Sequence, residues 1–235
     1  MTLDDFIKTL SYTHLSELHL GGEGMGEIPA ENLPKLFTRI DAGVLALHAR
    51  FALRKKTLTL MVYDEVTDYV LAPDFAVSSA SLEPYKYIVD TVLNPFPNDI
   101  LMITDVLDDD KIWQPINDAN MCNSWYRKSF DTLTANNLKA GDLYTIRYNS
   151  VPPKIGFGRV DMKQVRVDIP RTLEEALLCY VAGHVYGNMS MEGAMTKSQH
   201  FLDMYENECK ILEERNLLTL SESNTNINPK INGWP

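Results

Sequence analysis

Cysteine and histidine are the side chains through which this sequence could most readily do chemistry. They come nearest to each other in LEEALLCYVAGHVYGNMSMEGAM, residues 173–195. A thiol beside an imidazole can serve as a nucleophile and its base, provided the two lie within hydrogen-bond reach. Cys179 and His184 are five positions apart. On a helix, five steps turn a side chain by roughly 140°, so the two point away from each other. Leu173, Ala176, Leu177, Tyr180, Val181 and Val185 recur at steps of three and four, which predicts a helix with one apolar face. Thr172, with Glu175 three residues on, has the pattern of a capping box. Gly183 and Gly187 lower helix propensity; they mark a close approach of another backbone or, at Gly187, the helix end. Packing is the expected task of the stretch, with Cys179 as a small buried hydrophobe.

The remaining motifs point the same way. His14, His19, His48, His184 and His200 form no HExxH and no zinc-finger spacing. Cys122, Cys179 and Cys209 are odd in number and show no CxxC, so neither a disulfide framework nor a sequence-local metal site is expected. Asp105, Asp108, Asp109 and Asp110 lack the alternating spacing of a calcium loop and read as a solvated loop. GGEGMG (21–26) follows a helical segment rather than a strand, so it reads as an inter-helix turn and not a dinucleotide loop. GxSxG, SxxK and a P-loop are missing. Trp113 and Trp125 are expected in an aromatic core or an interface. No catalytic residue, cofactor or metal is expected, and the chain does not read as an enzyme.

These side chains need elements to hold them. Thr2 to about Leu10 reads as a helix capped by Thr2, with Leu3, Phe6, Ile7 and Leu10 on its apolar face. A long helix is expected from about Asn32 to Leu53, with Leu36, Ile40, Val44, Leu47 and Phe51 on one side. The period then shortens. Strands are expected at Thr57–Tyr63, Asp68–Leu71, Ile100–Val106 and Trp113–Ile116, and Phe130–Ala135 with Leu143–Asn149 reads as a hairpin. After Pro170 helices return, the second starting near Met191 and using Ala194, Phe201, Leu202, Tyr205, Cys209 and Leu212. This order predicts an α+β protein. N- and C-terminal helices (1–54 and 170–217) form a discontinuous helical bundle, 55–169 is an inserted antiparallel β-rich domain, and 218–235 is an extended tail. Leu173, Leu177, Tyr180, Val181, Phe201 and Tyr205 are the expected helical core.

Charge and hydropathy narrow the function. The 235 residues carry a formal net charge of −10, which argues against a protein that grips the nucleic-acid backbone. An acidic surface can instead face DNA without holding it. No apolar run is long enough to span a bilayer, and MTLDDFIKTL has no secretory pattern, so a soluble, cytoplasm-made protein without membrane contact is expected.

VRVDIPRTLEEALLCYVAGHVYGNMSMEGAMTKSQHFLDMYENECKIL resembles the end of head-to-tail adaptor proteins of tailed bacteriophages, including the tail tubular proteins of short-tailed phages. The residues that carry this are Asp168, Pro170, Glu175, Ala176, Leu177, Tyr180, Ala182, Phe201, Tyr205 and Glu206. VTDYVLAPDFA (66–76) is similar to the short segment that opens the β insertion in that group, with Ala72 departing from its pattern. The resemblance extends in architecture over most of 1–217, and in residue pattern over about a quarter of the chain. It implies a structural virion protein of the neck and tail, a homo-oligomeric ring of about twelve subunits docked beneath the portal protein. Such a ring meets a tail or nozzle protein on its other side and continues the DNA channel for genome retention and ejection. DNA passes through without specific binding. The tail would reach onto the portal, and Ile227, Pro229, Ile231 and Trp234 would supply its anchors as it orders on binding. Two other readings stay open. One is a monomeric helical accessory module. The other is a small enzyme whose site is assembled from distant residues, with Cys122 or His48 taking part.

Overall fold

The computed structural model describes residues 1–18, 26–118, 124–155 and 161–215. The chain is α+β, and its described residues divide into two compact units, one drawn from Met1–Leu47 with Lys154–Pro235 and the other from His48–Pro153.

The first unit is built on helices. α1 (Leu3–Tyr12) starts as its sequence predicts. Thr2 Oγ1 accepts from Asp5 N at 3.1 Å, and the Asp5 carboxylate reaches back to Thr2 N, so two otherwise orphaned donors are satisfied. Leu3, Phe6 and Leu10 are buried. α2 (Leu33–Phe51) follows a short 3-10 turn at Ala30–Asn32, and Leu36, Ile40, Val44 and Leu47 are buried along it. α3 (Glu174–Gly187) and α4 (Ala194–Glu214) pack on each other. Gly193, in the left-handed region at φ 77°, sets the start of α4 three residues later than Met191.

Close approach explains the α3 glycines. A Cβ at Gly183 would stand 2.8 Å from Leu202 Cγ and 3.2 Å from the Ser198 carbonyl oxygen. Ser198 Oγ, itself buried, donates to the Gly183 carbonyl at 2.8 Å. Two features of α3 differ from expectation. Thr172 caps nothing: the helix begins after a 3-10 turn at Arg171–Leu173, and its N-cap, Leu173, makes no side-chain bond. Nor is burial one-sided. Leu178, Cys179, Ala182, Gly183 and Tyr186 are buried along with the predicted face. A helix hemmed in on most sides carries no clean apolar stripe.

The second unit holds two antiparallel sheets around one core. The strands are β1 (Lys55–Met61), β2 (Asp68–Val70), β3 (Ile88–Val89), β4 (Ile100–Leu107), β5 (Trp113–Gln114), β6 (Ser124–Arg127), β7 (Thr132–Asn136) and β8 (Leu143–Ser150). They are ordered β3-β1-β8-β4-β5 in one sheet and β2-β7-β6 in the other. The expected hairpin over 130–149 does not form. β7 pairs with β6 and β2, whereas β8 crosses to the other sheet and pairs with β1 and β4. The turn between them therefore changes sheets, and both inward faces close on Trp125, Tyr69, Tyr87 and Tyr144. Asp108 is a turn former at the β4–β5 hairpin: its carboxylate accepts from Ile112 N and from Gln114 Nε2, each at 2.8 Å.

Residues 161–169 were expected with the strands. They run beside α1 in the helical unit, where Leu3 N donates to the Val165 carbonyl at 2.8 Å. Among the described residues no helix is long and apolar enough to cross a membrane.

Candidate functional site

Histidine and cysteine do meet in the helical unit, but the histidine comes from the other end of the chain. α1 stops at Tyr12, and the Thr13 N–H bonds back to the Thr9 carbonyl. This turn delivers His14 to the flank of α3. Glu175 and Cys179 stand four apart on α3, so they share one face. The three side chains converge. His14 Nε2 lies 3.0 Å from Glu175 Oε1 and 3.6 Å from Cys179 Sγ, and Cys179 Sγ lies 3.8 Å from Glu175 Oε1. Among the described residues, these three form a group of possible metal ligands whose atoms all fall within 4.8 Å of one another.

The histidine is held on three sides. Its ring tilts against Phe201 at a centroid distance of 5.3 Å, and Tyr186 donates its hydroxyl proton to the His14 carbonyl at 3.3 Å. Thr13 Oγ1 sits 2.7 Å from Nδ1 and 2.6 Å from the Thr9 carbonyl oxygen. Two oxygens that close need a proton between them, and the hydroxyl has one to give. It goes to Thr9, so toward the ring the hydroxyl accepts, and Nδ1 carries hydrogen. Nε2 faces the space shared with Glu175 and Cys179.

Electrostatics sort the chemistry. Burial pushes the Cys179 thiol up to about 12, and the charges of Glu175 and Glu208 add to the effect. A thiol so raised is protonated at neutral pH and is no nucleophile. Glu175 is the open side, its carboxylate about half exposed, while Cys179 is fully buried. The arrangement is therefore a set of three electron-rich atoms around one point and not a nucleophile–base pair.

His184 stays apart from Cys179, as the helical turn requires. Its ring lies 4.4 Å from Tyr180, and burial followed by the nearby Arg39 lowers its pKa below the ordinary value. Of the expected helical core, Leu173, Leu177, Val181 and Tyr205 are buried, whereas Tyr180 and Phe201 are half-buried. Tyr180 packs its ring on Tyr205 at 5.3 Å. His48 is buried and belongs to the sheet unit. Trp125 is fully buried and Trp113 is half exposed. Cys122, most of GGEGMG and the tail residues Ile227, Pro229, Ile231 and Trp234 lie outside the described residues. The helical unit also carries a groove of about 720 Å³, with Leu15, Leu36, Val185 and Met189 as apolar lining and Lys35 and Arg39 among its polar groups.

Comparison of the sequence with protein families finds no match, and neither does comparison with curated proteins.

Proposed function

We propose that this chain is a subunit of a head-to-tail adaptor ring, a structural component of a phage neck that joins the portal to the tail and continues the DNA channel. One observation carries the reading. The five-stranded sheet ends in two unlike strands, β3 and β5, and exposed apolar side chains lie next to each. In the turn that follows β3, Val92 is 83% exposed and Leu93 98%; Ile112, just before β5, is 59% exposed, and Trp113 within it 50%. Apolar side chains left in water next to the ends of a sheet mark a surface that another chain covers. Two unlike edges on one subunit suit a head-to-tail contact, the kind that closes into a ring when its rotation permits.

The acidic balance of the chain suits a lumen along which DNA slides without phosphate contacts. A helical unit drawn from segments on either side of the sheet unit in sequence suits the architecture that the C-terminal resemblance implies. The role is mechanical rather than catalytic, and the partners are the portal, the tail protein and further copies of the chain. The tail residues Ile227, Pro229, Ile231 and Trp234 are the proposed portal anchor.

Mass photometry of the chain titrated onto isolated portal rings tests this. The expected result is a stepwise mass gain toward a full ring. Leu93→Asp and Trp113→Asp should each abolish the ring. Their mixture should still form a pair, because each variant keeps the edge the other lacks. Removing 221–235 should weaken capture by the portal. A chain that stays monomeric in every mixture would return the reading to an accessory module.

A further inference from the structure

We propose that His14, Glu175 and Cys179 bind a divalent transition-metal ion, with zinc as the best match, and that the ion staples the end of α1 to α3. Zinc takes sulfur at about 2.3 Å and imidazole nitrogen or carboxylate oxygen at about 2.0–2.1 Å. Tetrahedral angles at those lengths put ligand atoms about 3.3–3.6 Å apart. The separations here are 3.0, 3.6 and 3.8 Å. A single point therefore lies within bonding distance of all three atoms. An ion at that point would bond all three atoms at once, in place of the weak S–H contact that Cys179 makes to Glu175.

A second observation is independent of that spacing. Metal-bound histidines usually give their other N–H to an acceptor that fixes the ring. Thr13 Oγ1 accepts at Nδ1, its own proton being committed to the Thr9 carbonyl, and this fixes the ring with Nε2 facing the ligand point. Thiolate, imidazole and carboxylate together suit zinc better than calcium or magnesium, which favour all-oxygen shells. The ion enters past the exposed Glu175 carboxylate, and water completes the fourth position. Binding replaces the Cys179 S–H proton, which leaves to solvent, by the metal. The ligands lie 161 and 165 residues apart, so an ion that binds only the folded chain stabilises the pairing of its two ends.

The test is a titration of the full chain with Co²⁺, which reports sulfur ligation by a thiolate-to-metal charge-transfer band, followed by displacement with Zn²⁺. The band should appear, vanish on zinc addition, and persist in Cys122→Ser and Cys209→Ser. It should be absent in Cys179→Ser. Glu175→Gln, at an exposed position that leaves folding intact, should weaken binding about tenfold or more, and Thr13→Val about 10- to 100-fold. Zn²⁺ should also raise the melting temperature of the wild type but not of Cys179→Ser. A folded wild type without the band, or a band unchanged in Cys179→Ser or in Glu175→Gln, overturns the proposal.

Discussion

The helical unit closes its main helix contact with small residues, whereas the sheet unit fills its core with large aromatic ones. Between α3 and α4, Gly183 and Gly187 meet Ser198 and Leu202 at distances that leave no room for a methyl group. Between the sheets, Trp125 touches Tyr69 and Tyr144 edge-on at 5.5 and 5.2 Å, and Tyr69 touches Tyr87 at 4.9 Å. Two phenol tips are satisfied locally: Tyr87 Oη donates to the Val70 carbonyl at 2.9 Å, and Tyr148 Oη donates to Asp99 at 3.0 Å. Burial raises both phenols above their ordinary range, so they stay neutral donors. One unit is thus sensitive to added volume and the other to removed volume.

Trp125→Ala is the most direct way to break that contrast. It empties the centre of the sheet core and should cost about 3–5 kcal/mol in urea denaturation. A loss under about 1 kcal/mol would mean that the aromatic cluster does not organise the unit.

Gly183→Val sharpens the comparison from the other side. The added methyls run into Leu202 and the Ser198 carbonyl, and the cost should be about 1–3 kcal/mol. Adding Leu202→Ala should return part of it, because the two sites share the contact and cannot act additively. An unaltered midpoint in the single variant would remove tight packing as the reason for the glycine.

The smallest effect is expected at Asp90. Burial opposes its charge, but Ser78 N, Ser78 Oγ and Phe96 N donate to the carboxylate at 2.7, 2.5 and 2.9 Å and hold its pKa below the usual 3.8. A depressed folded value contributes stability that is present above pH 3.8 and lost as pH falls through the lower folded value. Asp90→Asn should cost about 1 kcal/mol at neutral pH, with the gap to wild type closing in acid. A gap that holds constant down to the acid limit would show that the carboxylate charge is not what these donors read.

Much of the fold was legible. α1, with its Thr2 cap, lies within two residues of its expected end, and the strands with regular alternation, such as β1, appear where Leu58, Leu60 and Val62 put them. Those features depend on neighbours three, four or two residues away, which a sequence displays directly. The 130–149 hairpin was misread because adjacency in sequence says nothing about which sheet a strand joins. β3 and β6 are short and carry no period of their own.

The candidate site divides along the same line. Glu175 and Cys179, four apart on one helix, are a local pattern that the sequence determines. Glu175 read as a capping residue because a Thr stood three positions before it. That His14 completes the group was decided only by the tertiary fold. The termination of α1 at Tyr12, the Thr13 turn and the packing of α1 on α3 bring side chains 161 and 165 positions apart into contact, and no local periodicity encodes a contact of that separation. Composition and short-range spacing determined the elements and their faces. Which face met which, and hence where three electron-rich atoms converge, was decided by the burial of the whole helical unit at once.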